Sequence, residues 1–279
     1  MPKDFRATAL ERAVGRKLAS WRDERCLSLV EAGRLIGFSS AKLSMMENAI
    51  QPSPVVDIMA LGYVYKVPTP EWQFVMSQAQ HAADLRTFHL SRAAIFDPAE
   101  DFPLLIADAT QLRTFASGTV PTIFQLADYT GAITQRDNPA RAAQLSRVRE
   151  TWLNRSNGDD PIAVEAVVLE SVLRQVTGGR RVAKAQLLYL IEASELPEVS
   201  VRVVPLSSAP CSMNFPFTWL SFPHQQHNDV IYTDTFLNVE YAEKPSQIQL
   251  AAERFSEARS LALSERNSLE LIADTAARI

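Results

Sequence analysis

Few side chains in this sequence combine a reactive type with a spacing that would let them act together. His224 and His227, in PHQQHND, stand three apart with Asp229 close by, a spacing seen in metal sites. No cysteine pair accompanies them and the segment reads as a hairpin loop, so a solvated loop is expected and no metal. His81 and His89 carry no paired partner. Glu165 and Glu170 lie on what reads as one helix, where five residues turn them about 140° apart. They cannot converge on one substrate atom. GGRRV, from Gly178, has neither a preceding strand nor the Lys-Ser/Thr of a phosphate loop and reads as a turn. No G-x-S-x-G, H-E-x-x-H or glycine-rich dinucleotide pattern occurs, so no catalytic residue, no cofactor and no enzyme is expected.

A second set binds without reacting. Arg22, Ser28, Arg34, Ser39, Ser40 and Lys42 supply hydroxyls and cations within a short stretch, with Met45 beside them. Such groups bond to anionic oxygens and to polar edges. A third set is aromatic: Trp152, Phe215, Phe217, Trp219 and Phe222 are the expected lining of a ligand pocket, if the second half of the chain has one.

The elements that must position the second set are short helices. From Leu10 to about Arg25, Leu10, Val14, Leu18 and Trp21 recur at helical spacing, with Arg12, Arg16, Lys17 and Arg22 on the polar face. Ser28 opens SLVEAGRLIG, and Glu31 three residues on completes a capping box. Gly37 ends that helix in a position that tolerates positive φ. Ser39 or Ser40 caps the next, with Leu43 and Met46 as apolar anchors. Gly33 supplies the small residue that a close helix pair needs. A fourth helix follows QPSPVV, with Val56, Met59, Ala60 and Tyr63 as its expected inner face. This is the grammar of a helix-turn-helix.

Charge supports that placement. Residues 1–67 carry ten Lys and Arg against seven Asp and Glu, a local +3, while the whole chain is −4 and the remainder therefore −7. One end can approach phosphates while the body does not.

The 279 residues, 47% hydrophobic and 22% charged, suit a globular chain of two domains. The fold class expected is α+β: an all-α N-terminal helix-turn-helix domain of four to five helices over 1–68, a helical linker over 69–92, and a larger domain over 93–279. The larger domain is expected to hold a small antiparallel sheet with flanking helices. Its strands are VSVRVVPL, FTWLSF, DVIYTDTF and LNVEYA, where the period switches to two. Pro161 is expected to open a helix over IAVEAVVLESVLRQV, and the chain returns to helix from Ser246. No apolar run approaches the roughly 18 residues of a membrane span. The N-terminus lacks a signal-type apolar stretch, and Cys26 and Cys211 lie in different domains, so a cytoplasmic protein without a disulfide is expected.

GRKLASWRDERCLSLVEAGRLIGFSSAKLSMMENA resembles the Xre/Cro-type helix-turn-helix domain at its Arg-rich first helix, Ser28, Gly37, Ser44 and Glu47. Where that family often ends its recognition helix in Ser-Arg-Ile-Glu-x-Gly, this chain has Met45 for the Arg and Ala49 for the Gly. The docking of such a domain puts Ser39, Ser40, Lys42 and Met45 at the major groove of double-stranded DNA, with Ser28, Arg22 and Arg34 toward the backbone. TVPTIFQLADYTGAI, QLLYLIE, LPEVSVRVVPL, FTWLSFP, DVIYTDT and SLALSERNSLELI resemble, in order, the C-terminal domain of actinobacterial Xre regulators grouped as Scr-type antitoxin-like proteins. That resemblance implies a homodimeric transcriptional regulator whose second domain binds a small-molecule effector or a small partner protein. The alternative it leaves open is an antitoxin-like protein that mainly sequesters the partner.

Overall fold

The computed structural model describes residues 5–87, 97–134, 139–208, 215–235 and 239–279. The chain divides into two compact units, one of Met1–Asp97 with Pro223–Asn228 and one of Pro98–Phe222 with Asp229–Ile279. The whole is α+β.

Unit 1 is a helical bundle: α1 (Ala9–Asp23), α2 (Leu29–Ile36), α3 (Ser40–Glu47), α4 (Val55–Val64) and α5 (Thr69–Thr87). Thr8 caps α1 reciprocally with Glu11, and Leu10, Val14, Leu18 and Trp21 are buried as their spacing requires. Val14, Leu18 and Trp21 close on Leu43, Met46, Ile58, Leu61, Tyr65 and Val75. Helix α5 packs into this bundle where a linker is expected over 69–92, of which 88–92 lie outside the described residues. The Trp21 indole N–H donates to Glu71 (2.9 Å), Lys17 reaches the same carboxylate (2.7 Å), and Val75 and Ala82 are buried.

The inner face of α4 is also corrected. Val56, Met59 and Tyr63 are 68, 43 and 82% exposed, while Ile58 and Leu61 fill the core. This helix is apolar on both sides, so its pattern alone does not choose a face. Within the same unit, Ala7 and His227 form a parallel bridge, and the buried Arg12, read as part of an exposed polar face, donates to the Asn228 carbonyl (3.4 Å).

Unit 2 begins with α6 (Pro98–Asp108). There follow β1 (Gln111–Ala116), a 3₁₀ turn (Thr122–Phe124), α7 (Ala127–Ile133), α8 (Pro139–Ser156), β2 (Ala163–Leu169), α9 (Glu170–Arg174), α10 (Arg180–Ala193) and β3 (Val199–Val204). Then come β4 (Phe217–Ser221), β5 (Val230–Asp234), β6 (Val239–Ala242), α11 (Pro245–Leu261) and α12 (Glu265–Arg278). The strands form one sheet in the order β3-β2-β1-β4-β5-β6. β1, β2 and β3 pair in parallel, whereas β4, β5 and β6 run antiparallel to their neighbours.

The sheet is therefore larger than the four antiparallel strands expected, and mixed. β1 has no counterpart among the expected strands, and β2 lies where a helix is expected. AVEAVVL has no period-two alternation of residue type, because this interior strand is apolar at every position but Glu165. One face of the sheet carries Tyr232, on which Phe102 of α6 stacks at 3.7 Å. The other carries Phe115, Val167, Phe217 and Ile231, packed against Phe255 and Ala258 of α11.

Candidate nucleic-acid interface

The local rules that build α2 and α3 are all met. Ser28 accepts from the Glu31 N–H (3.3 Å), and the Glu31 carboxylate takes the Ser28 N–H (2.9 Å) and hydroxyl (2.7 Å). Gly37 sits at φ +79°, in the left-handed region, and its N–H returns to the Gly33 carbonyl (2.8 Å). A Cβ at Gly33 would stand 2.5 Å from the Phe38 carbonyl oxygen, so the small residue is required by the turn itself. Ser39 then caps α3 by accepting from Lys42 N–H (3.1 Å).

Leu43 and Met46 anchor α3 from below, at 1 and 0% exposure. A close approach of α1 lies beside them. A Cβ on Gly15 of α1 would come within 2.5 Å of the Glu47 carbonyl oxygen. Only glycine lets α1 and the end of α3 touch. The signal was present, as a glycine inside an apolar-periodic helix.

Ser39 and Ser40, at the N-terminal end of α3, are exposed, as is Ala41, while Lys42 and Met45 are half-buried. The Ser39 hydroxyl accepts from the backbone and so keeps its proton to donate outward. Lys42 is restrained: its ammonium pairs with Asp57 (2.8 Å) and sits 3.6 Å above the Phe38 ring. That pair holds the cation near the N-terminal turn of α3. Arg34 is exposed in the last turn of α2.

Two side chains expected at the DNA backbone, Arg22 and Ser28, are engaged inside the bundle. The Arg22 guanidinium makes two 2.8 Å bonds to Glu47 and further bonds to Asp23 and the Leu27 carbonyl. Donating to the Glu47 carboxylate makes Arg22 hold its proton far more tightly than usual, against the effect of burial. Arg22 is a strut between α1 and α3. Ser28 gives its proton to Glu31, whose carboxyl the Ser28 hydroxyl and backbone N–H hold below the usual range. A carboxylate so placed at the start of α2 repels a phosphate there.

Ala49, where the resembling family has glycine, lies at φ +49° and 2% exposure. The chain turns left-handed after α3 without the residue that does so freely.

The aromatic set does not converge. Trp152 is fully buried against Phe124, and its indole N–H has no hydrogen-bond partner among the described residues. Phe215 is 80% exposed. Trp219 donates to Asp229 (2.8 Å) and lies under the Arg113 guanidinium (4.2 Å). Phe222 is half-buried, and Phe217 lines a crevice of unit 2. Glu165 and Glu170 share no helix: the first is on β2, paired with Arg259 (2.7 Å), and the second opens α9.

His224 and His227 stack edge to face at 5.1 Å, with His227 Nε2 3.1 Å from the Asn48 carbonyl oxygen. Among the described residues no three His, Cys, Asp or Glu side chains are grouped to hold a metal ion. Gly178 and Gly179, both at positive φ, lead into α10. Cys26 is exposed; His89 and Cys211 lie outside the described residues.

Fold and site together define a two-unit α+β protein: a helical bundle holding a capped α2–turn–α3 pair, and a mixed six-stranded sheet flanked by helices. Residues 100–274 match the family described as Domain of unknown function (DUF5753), and the chain belongs to that family. No curated protein and no solved structure matches it. Among the described residues no helix is long and apolar enough to cross a membrane.

Proposed function

We propose that this protein is a sequence-specific, DNA-binding transcriptional regulator of the Xre/Cro helix-turn-helix kind that acts in the cytoplasm. One observation carries it. Helix α3 buries Leu43 and Met46 and leaves Ser39, Ser40 and Ala41 in solvent, behind a left-handed Gly37 turn. A helix held so can enter a major groove by its N-terminal end. Ser39 and Ser40 then meet base edges or phosphates, Ala41 offers a methyl to a thymine, and Met45 contributes apolar contact. Lys42 and Arg34 supply charge.

A homodimer on an operator with half-sites about one helical turn apart follows from the symmetry of such sites. Unit 2 takes the sensing role, for a small effector or a partner protein. Footprinting with the full chain on its own promoter tests this: protection of a two-fold related site is expected, and uniform, sequence-blind binding would remove the proposal.

A second reading is an antitoxin-like protein that mainly sequesters a small partner. Its support is the exposed stripe of Val56, Met59 and Tyr63 along one side of α4, an apolar surface suited to another protein. Stoichiometric co-purification of a neighbouring gene's product, with DNA affinity no better than non-specific, would favour it.

A further inference from the structure

β1 stands where the strand order of the sheet reverses. The chain leaves it through α7 and α8 to reach β2 on one side, and β4 arrives on the other only after β3. At such a reversal the connections part, and a crevice opens outside the carboxyl end of the strand. Unit 2 has a crevice at that place, of about 110 Å³, between the ends of β1 and β5 and the start of β4.

Its chemistry follows from the register. Thr114 is paired with Thr218 and Thr218 with Tyr232, so the three side chains stand in a row on one face. The buried Thr114 hydroxyl donates to the Phe217 carbonyl (3.2 Å) and lies 3.3 Å from that of Thr218. Two residues further along the strands, on the same face, come Ala116 and Asp234. The alanine methyl leaves space where a larger side chain would fill it. Asp234 is bound there by the Arg141 guanidinium, from α8. One end of a hydroxyl-floored notch therefore carries the Asp234 carboxylate, and the Arg141 cation that pairs with it reaches it from α8, outside the residues that line the notch.

We propose that this crevice binds a small zwitterion, an α-amino acid of about the size of glycine or alanine. The volume equals that of about four water molecules. A simple anion entering it would meet Asp234, and a simple cation would meet Arg141. A molecule with both charges one carbon apart inserts between them and replaces one ion pair by two. The threonine hydroxyls take the remaining bonds. The site would give unit 2 its effector, so its role as a sensor rests on the proposed function, but the binding itself does not.

The test is a saturation-transfer NMR titration of the full chain with glycine, acetate and methylammonium as probes, without DNA. Glycine is expected to bind with a Kd of about 1 mM or tighter, and the two single-charge probes about tenfold or more weaker. Asp234→Asn should lose about tenfold or more in glycine affinity. Ala116→Val, which keeps both charges and fills the notch, should do the same; it carries the test if the first variant does not fold. Absence of glycine binding at about 10 mM overturns the proposal. So does equal binding of acetate or methylammonium, or unchanged affinity in a folded Ala116→Val chain. Retention of promoter DNA by the same preparation, measured separately, shows whether the regulator itself still stands.

Discussion

Replacing Arg22 by Leu separates a strut from a DNA contact. The guanidinium is 14% exposed and the Glu47 carboxylate 8%, joined by two bonds of 2.8 Å. Removing the cation leaves a largely desolvated carboxylate without its partner, at a cost of about 3 kcal/mol, roughly a hundredfold in the unfolding equilibrium of unit 1. Glu47→Leu alone should cost a similar amount, and the double variant should recover about 2 kcal/mol of the summed loss, because no lone charge remains. The assay is urea unfolding followed by 5-fluorotryptophan ¹⁹F signals of Trp21 and Trp72, which report unit 1 separately from Trp152 and Trp219. In parallel, the salt dependence of DNA binding by folded Arg22→Leu should keep its slope, since a lost phosphate contact would flatten it by about 0.9. A flattened slope with unchanged stability would refute the strut and return Arg22 to the DNA.

Other substitutions test neighbouring parts. Ala49→Gly, at φ +49°, should raise stability by about 1 kcal/mol by relieving left-handed strain, measured in the same unfolding assay. Gly37→Ala adds a Cβ that meets nothing and should cost only about 1–2 kcal/mol of φ strain, whereas Gly15→Ala drives a Cβ into the Glu47 carbonyl and should cost more; the reverse order would refute the α1–α3 approach. Glu71 is held below the usual carboxylate range by the Lys17 bond and then by that of Trp21. Its contribution is therefore complete above that range and is lost as pH falls through the lowered value, which the Trp21 ¹⁹F shift should track in an acid titration; a shift that moves only above the usual range contradicts this. Trp152→Phe should cost about 1 kcal/mol, since it discards an indole N–H that has no partner among the described residues, against about 3–5 for Trp152→Ala; equal losses would show that the N–H matters.

What the sequence made legible was whatever local rules control. The Ser28–Glu31 box, the Gly37 turn and the Ser39 cap each follow from residues within four positions of one another, and all are present. The alternating strands β3 to β6 were read in place for the same reason. Position-distant facts were not legible. β2 is apolar but for Glu165 and lies inside the sheet between β1 and β3, and so short an apolar run looks the same as a buried helix. α5 looked like a bridge because what fixes it, the bond from Trp21 to Glu71, spans 50 residues.

The candidate site was legible at α3 and less so around it. Ser39, Ser40, Lys42 and Met45 lie on one short helix whose anchors are apolar by type. Whether Arg22 is spare or committed depends on Glu47, 25 residues away. The crevice at β1 depends on strand order, which no local pattern encodes.

The most direct measurement is a selection from random duplex DNA by the full chain, run in parallel with folded Ser39→Ala, Ser40→Ala and Lys42→Ala variants. The wild type should enrich one two-fold related motif, and the serine variants should change the preferred bases within its half-sites; Lys42→Ala should weaken binding across all sequences. Enrichment of no motif, or of the same motif with equal strength by all four proteins, would contradict the placement of α3 in a DNA groove.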